Sequence, residues 1–226
     1  MTRELPLFPL NAVLFPGGRL TLRIFEDRYK EMLRYCLRSG SGFGVVLIRK
    51  GTEVGGPSDP FSIGTVARIV HTETLPDDQF RIFVVGEKRF RIDRIIRWEP
   101  FPVGIVSLLD DRFRTIPRNL TSLGNRVSAL LFRYLELADL KEPVRIADLI
   151  LPTNIAALCY RIGDLLPLPL LVKQSLLEME DVIELLLREI VILNAEVRRL
   201  QAQKMWQRLL KRLSDRALPP DQAFLN

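Results

Sequence analysis

The apolar residues of this chain change their repeat once, and that change constrains the fold more than any other feature. Through the first ~110 residues they alternate in short runs broken by Gly, Pro and Asp, the pattern of half-buried strands joined by tight turns. From about residue 116 they recur at every third or fourth position, the pattern of amphipathic helices. Two periods in succession predict an α+β chain in two parts. A curved β-sheet or barrel lobe with one helix is expected over residues 1–112, a helical lobe over 113–214, and a tail over 215–226.

Within the first part, residues 5–10 form an apolar segment that runs into Phe15-Pro16-Gly17-Gly18. Pro at the second position and Gly at the third suit a type II turn, whose third residue needs positive φ. Residues 19–24 alternate as a strand. Over 25–38 the period switches: Phe25, Tyr29, Met32, Leu33, Cys36 and Leu37 fall at helical spacing, and Gly40 and Gly42 stop the helix. A strand at 43–48, a Gly/Pro-rich loop at 52–60, and a hairpin of 64–75 with 80–85 across Pro76-Asp77-Asp78 follow, and then strands at 88–96 and 103–109. The second part offers helices at 120–137, 146–151 and 155–166, separated by Pro143, Pro152, Pro167 and Pro169. A final helix at 173–213, roughly 60 Å at 1.5 Å per residue, carries Leu176, Met179, Ile183, Leu186, Ile190, Leu193, Val197 and Leu200 along one seam. Val182, Leu185 and Ile192 add a second stripe, as in a helix packed within its own bundle.

With 226 residues, 47% of them hydrophobic, the chain can bury a core without a metal or a disulfide. Cys36 and Cys159 are far apart, and with His71 as the single histidine they make no typical zinc site. This thrift fits a reducing compartment, so a cytoplasmic location and no cofactor are expected. The first residues lack a signal-peptide pattern, and charges or prolines interrupt every apolar run before the ~18 residues that a membrane helix needs. The net charge of +6 permits an anionic partner without requiring one.

Three blocks carry a family resemblance. LPLFPLNAVLFPGGRLTLRIFEDRYKEML, from Leu5, is similar to the signature that opens the Lon N-terminal domain. GTVARIVHTETLPDDQFRIFVVGEKRFRI resembles that domain's second block, with Gly64, Leu75, Pro76, Gly86, Arg89 and Phe90 at the characteristic places. LPLPLLVKQSLLE, from Leu166, resembles the segment that leads into its last helix. The resemblance implies a PUA-like β-barrel lobe followed by a helical lobe ending in a long helix. It also implies a role in recognising unfolded or damaged protein, here in a free-standing module without the ATPase and peptidase domains.

The chemistry of those domains is not legible here. No segment reads G-x-x-x-x-G-K-[ST], and there is neither a G-x-S-x-G elbow nor an H-E-x-x-H pair. Ser58, in Gly56-Pro57-Ser58, reads as a turn residue rather than a nucleophile. Cys36 lies on an apolar helical stripe and His71 within a strand, positions that suit packing or surface roles. Asp77-Asp78 and Asp110-Asp111 read as solvated turn residues. A non-enzymatic binding protein is expected.

Three surfaces could bind. The apolar turn region, Leu14, Phe15, Pro16 and Leu20 with Phe25, is the candidate polypeptide site, with Phe15 expected to stand proud of the strand; its alternative is that these residues close the barrel. Arg89 and Arg91, on a basic strand, are the candidate phosphate contacts for RNA binding, the alternative function, although Glu87 and Asp93 on the same strand disfavour nucleic acid. Residues 197–214 hold six bases and no acid beside the stripe Trp206, Leu209, Leu210 and Leu213. That amphipathic stretch suits an acidic partner groove, a membrane surface, a homodimer contact or packing within the chain. The leading expectation is an adaptor or holdase for unfolded polypeptides.

Overall fold

A computed structural model describes residues 2–56, 58–138 and 151–214. The expected tail, and all but Leu151 of the helix expected at 146–151, lie outside them. The chain divides into two compact units, Met1–Ile116 with Leu151–Leu185, and Pro117–Ile150 with Leu186–Asn226. A single cut at residue 112 therefore does not describe it, because residues 151–185 pack with the strands rather than with the later helix.

The first unit is built on strands β1 (Thr2–Leu10), β2 (Arg19–Ile24), β3 (Phe43–Gly51), β4 (Ser58–Pro60), β5 (Ile63–Leu75), β6 (Gln79–Arg97) and β7 (Val103–Leu108), with helix α1 (Asp27–Ser39) after β2. The pairing order β1-β7-β6-β5-β3 returns to its start through a parallel β1–β3 ladder, which closes a barrel. β2 pairs with β6, and β4 extends β3. Residues 5–10 of β1 read as an unbroken apolar run because both faces are covered there. Leu5 and Leu7 point inward with Val46, Val66, Phe90 and Val106, while Phe8 and Leu10 meet Tyr29, Met32 and Leu33 of α1. The helix stops at Gly40, whose φ of 62° favours glycine.

β6 runs unbroken through 19 residues, replacing the two strands expected at 80–85 and 88–96. Gly86, in the gap between those two expected strands, serves as a point of close approach: a Cβ there would sit 2.2 Å from the Phe15 carbonyl oxygen. Register shifts opposite β5 and β7 bend the strand around the barrel. Helices α3 (Ile155–Leu165) and α4 (Leu170–Glu178) complete the unit, together with the first turn of α5 (Val182–Ser214).

The single helix expected at 173–213 is two. Asp181, buried between them, breaks it by capping α5: its Oδ1 accepts from the backbone N–H of Ile183 at 2.7 Å and Glu184 at 3.1 Å, and its Oδ2 from that of Arg114 at 2.7 Å. Burial works against this carboxylate, but the three donors outweigh it and hold its pKa below the ordinary value.

In the second unit, α2 (Leu120–Leu137) matches the expected bounds and buries Val127, Leu131, Tyr134 and Leu135. The distal part of α5 buries Leu186, Ile190, Leu193 and Val197, so the seam inferred from the sequence is the packed one. Past Val197 no described residue of α5 is buried.

Candidate functional site

The turn at residues 15–18 organises the first unit's surface. Gly17 has φ of 77°, and Gly18 N–H donates to the Phe15 carbonyl at 2.9 Å, the type II geometry that its residues predict. Two more backbone bonds clamp it to β6: Gly17 N–H to Gly86 O at 2.8 Å, and Gly86 N–H to Gly18 O at 2.9 Å. A turn held this way presents Pro16 and Gly17 outward and its first residue inward.

Phe15 accordingly corrects the sequence expectation. It is 0% exposed, its ring centroid 6.5 Å from that of Tyr160 and its edge against Gly163, where a Cβ would lie 2.8 Å from Cζ. α3 admits the ring because it carries glycine at that position. Leu14 is buried too, and Leu20 is half-buried against the core of the β lobe. Phe25 is 45% exposed and lines a different pocket, of about 290 Å³, with Val54 and Glu53. The five residues proposed as one surface are thus divided between core, turn tip and a second pocket. Gly163, the only glycine of α3, is the sequence signal that points to Phe15.

A cleft of about 430 Å³ lies where the turn meets α3. Pro16, Gly17, Pro152, Ala157 and the Tyr160 ring supply its apolar walls, and Glu87, Asp111, Asn154 and Arg161 its polar ones. Asn154 is fixed as the α3 N-cap, its side chain accepting from Ala157 N–H at 3.1 Å. Tyr160 donates to Asp111 Oδ1, and burial followed by that bond pushes its phenol pKa well up, so the hydroxyl remains a proton-bearing donor. Asp164, behind the cleft, has its pKa raised by burial against the opposing pull of Lys173 and Arg161. Burial lowers that of Lys173, whose ammonium donates to the Asp164 carbonyl at 2.9 Å. The lining contains no Ser, Thr, Cys, His or Lys side chain, and the contacts it offers are of mixed polarity.

Arg89 stands behind the same cleft and overturns its assignment as an RNA contact. It is 2% exposed, donates through Nη1 to the carbonyls of Leu177 at 2.9 Å and Met179 at 2.5 Å, and lies 5.5 Å from the Tyr160 ring centroid. Its Nη2 reaches Asp111 Oδ1 at 3.4 Å. Alternation placed Arg89 opposite Phe90, but helix α4 covers that face as well, so both are buried. Arg91 is exposed and paired with Glu180 at 2.8 Å. Arg81, Lys88 and Arg68 are likewise paired, with Glu73, Asp110 and Glu87.

The remaining sequence candidates are placed as follows. Cys36 is buried, and burial raises its thiol pKa to about 11, which makes it a poor nucleophile. Ser58 lies in β4 opposite Gly51. His71 is on the surface, its ring 5.6 Å from Phe83. Among the described residues, no group of acidic, Cys and His side chains could hold a metal ion, and no helix is long and apolar enough to cross a membrane. Trp206, Leu209, Leu210 and Leu213 are all exposed.

Comparison with known proteins yields consistent matches. The family model for the ATP-dependent protease La (LON) substrate-binding domain matches residues 4–195. Lon protease 2 of Myxococcus xanthus is 30% identical over 200 residues, which are 84% of this chain and 24% of that protein. The Lon protease of Porphyromonas gingivalis is 33% identical over 113 residues, 13% of its length. The chain thus spans a quarter or less of these relatives. The crystal structure of a Lon N-terminal domain protein from Xanthomonas campestris superposes with a TM-score of 0.62 at 30% identity, covering 84% of this chain and 98% of that one. The N-terminal domain of Mycobacterium avium complex Lon protease shares the fold, with a TM-score of 0.60 at 18% identity.

Proposed function

Because the chain belongs to the LON substrate-binding domain family, we propose that it binds unfolded or damaged polypeptide as a non-catalytic module, an adaptor or holdase, through the cleft between the Pro16-Gly17 turn and α3. The observation that carries this reading is the cleft itself, which lies wholly within the matched residues. Its walls combine apolar surface with fixed hydrogen-bonding groups, Tyr160 hydroxyl and the Asp111 and Glu87 carboxylates among them. Such a lining meets both the side chains and the backbone of an extended segment without demanding one sequence.

The test is to fill the cleft. Ala157 is half-buried on a helical wall, where tryptophan is compatible with the backbone. Ala157→Trp is expected to weaken binding of a reduced, carboxymethylated model protein at least tenfold, about 1.4 kcal/mol, with the far-UV spectrum unchanged. Phe25→Ser, in the separate pocket beside Glu53 and Val54, serves as the control and should leave affinity within a factor of about two. Equal affinity of Ala157→Trp and the parent chain would remove the cleft as the site. Suppression of aggregation without ATP, at stoichiometric ratio, would distinguish a holdase from an adaptor.

A further inference from the structure

We propose that the groove between the C-terminal ends of α2 and α5 docks an acidic amphipathic segment of a partner protein. This surface belongs to the second unit, and α5 beyond residue 195 lies outside the family match, so the inference stands apart from the cleft and from the reading built on it.

The groove holds about 570 Å³, within the range of sites that take a few side chains. Leu137 of α2 and Met205, Trp206 and Leu209 of α5 form its apolar floor. Around them stand Arg133, Lys204, Arg208 and Arg212, and no acidic residue lines it among the described residues. Arg133 pairs with Glu136 at 3.2 Å, whereas Lys204, Arg208 and Arg212 enter no ion pair among the described residues. Of these cations Arg212 stands in the last turn of α5, so the helix dipole accounts for part of the charge. It does not account for the apolar floor that they surround: Trp206 is 58% and Met205 63% exposed. An exposed tryptophan among arginines has the composition of an interface centre.

Charge selects the occupant. A second copy would bring Lys204, Arg208 and Arg212 against their own like charges, so self-association through this groove is opposed. A bilayer surface is planar on this scale and would rest on the ridge of α5 at Leu210 and Leu213, leaving the groove unfilled. A helical segment with apolar anchors at i, i+4 and i+7 fills the floor, and Asp or Glu on its flanks reaches the cationic rim. The apolar anchors supply affinity, and the charges supply orientation and association rate.

The probe is a fluorescein-labelled synthetic amphipathic helix with Leu and Phe on one face and Asp and Glu on its flanks, titrated with the full chain and followed by anisotropy. An isosteric Asn/Gln peptide is the comparison. We expect the acidic peptide to bind at least tenfold tighter, with affinity falling as salt is raised. Arg208→Glu with Arg212→Glu should abolish that preference, and Trp206→Ala should weaken both peptides, each with unchanged melting because these side chains are exposed. Two companion measurements probe the other occupants: cosedimentation with vesicles containing 30% phosphatidylserine, and sedimentation velocity of the chain alone. Equal binding of the two peptides, or a charge reversal without effect, would overturn the proposal. So would vesicle recruitment without peptide binding, or a concentration-dependent dimer lost in Trp206→Ala.

Discussion

Replacing Phe15 with alanine should destabilise the first unit by about 4 kcal/mol, within the 3–5 kcal/mol range for removing a buried phenylalanine. The middle of that range applies because the site can collapse only in part. The turn that Phe15 opens is clamped to Gly86 by the backbone bonds of Gly17 and Gly18, and the ring lies against α3 at Gly163 and beside the Tyr160 ring. With a urea dependence near 2 kcal/mol per molar, the midpoint should fall by about 2 M. Urea unfolding should be followed both by circular dichroism and by fluorescence, since two units need not unfold together. The reciprocal change gives the sharper result. Gly163→Ala alone places a Cβ 2.8 Å from Phe15 Cζ, overpacking that should cost about 1–3 kcal/mol. Combined with Phe15→Leu, whose smaller side chain leaves room for that methyl, the loss should be less than additive by about 1 kcal/mol. A Phe15→Ala cost below about 1 kcal/mol, or strict additivity in the double variant, would show that the ring does not key the turn onto α3.

Two further outcomes follow from buried polar groups. Asp181→Ala should cost about 1–2 kcal/mol as a lost helix cap, with a definite pH dependence. Its folded pKa is depressed, so its contribution is fully present above the unfolded value of 3.8 and is lost as pH falls below it; the gap in melting temperature between parent and variant should narrow across that window. Arg89→Met removes the donors from the Leu177 and Met179 carbonyls and should cost about 1–3 kcal/mol for acceptors left unsatisfied. Unchanged stability of Arg89→Met by chemical denaturation would contradict the role assigned to that side chain.

Much of the architecture is legible in the residues because strands and helices impose different periods. The type II turn, the bounds of α2 and the seam from Leu186 to Val197 all follow from local pattern. What escapes is anything decided by a second covering layer. Alternation says that Arg89 and Phe90 face opposite ways, but it cannot say that α4 closes over the arginine. A Pro-Gly turn fixes the backbone at Phe15 without revealing that α3, nearly 150 residues later, leaves a glycine-sized gap for the ring. The helix break at residues 179–181 is similarly non-local, because Asp181 needs the backbone of Arg114 as well as its own helix. The cleft combines residues between positions 16 and 161, and no local motif announces it. The apolar stripe at Trp206 is legible in full, since nothing in the described structure covers it.

The interleaving of the two units bears on how the chain is made. Strand β1 cannot complete the barrel until β7, its antiparallel partner from Thr2↔Ser107, has left the ribosome. Even then the carbonyls that receive Arg89 and the glycine that receives Phe15 belong to α3, α4 and the turn after it, with the whole of α2 made in between. At ~5–20 residues per second, the barrel waits roughly 3–14 s for the remainder of its own unit. During that interval an arginine and an aromatic ring meant for the interior face water, and so does the apolar surface that α4 later covers. A fragment ending at 112 would hold the chain permanently in this state. The module that we read as a receiver of unfolded protein is thus, for several seconds of its own synthesis, an exposed partner for one.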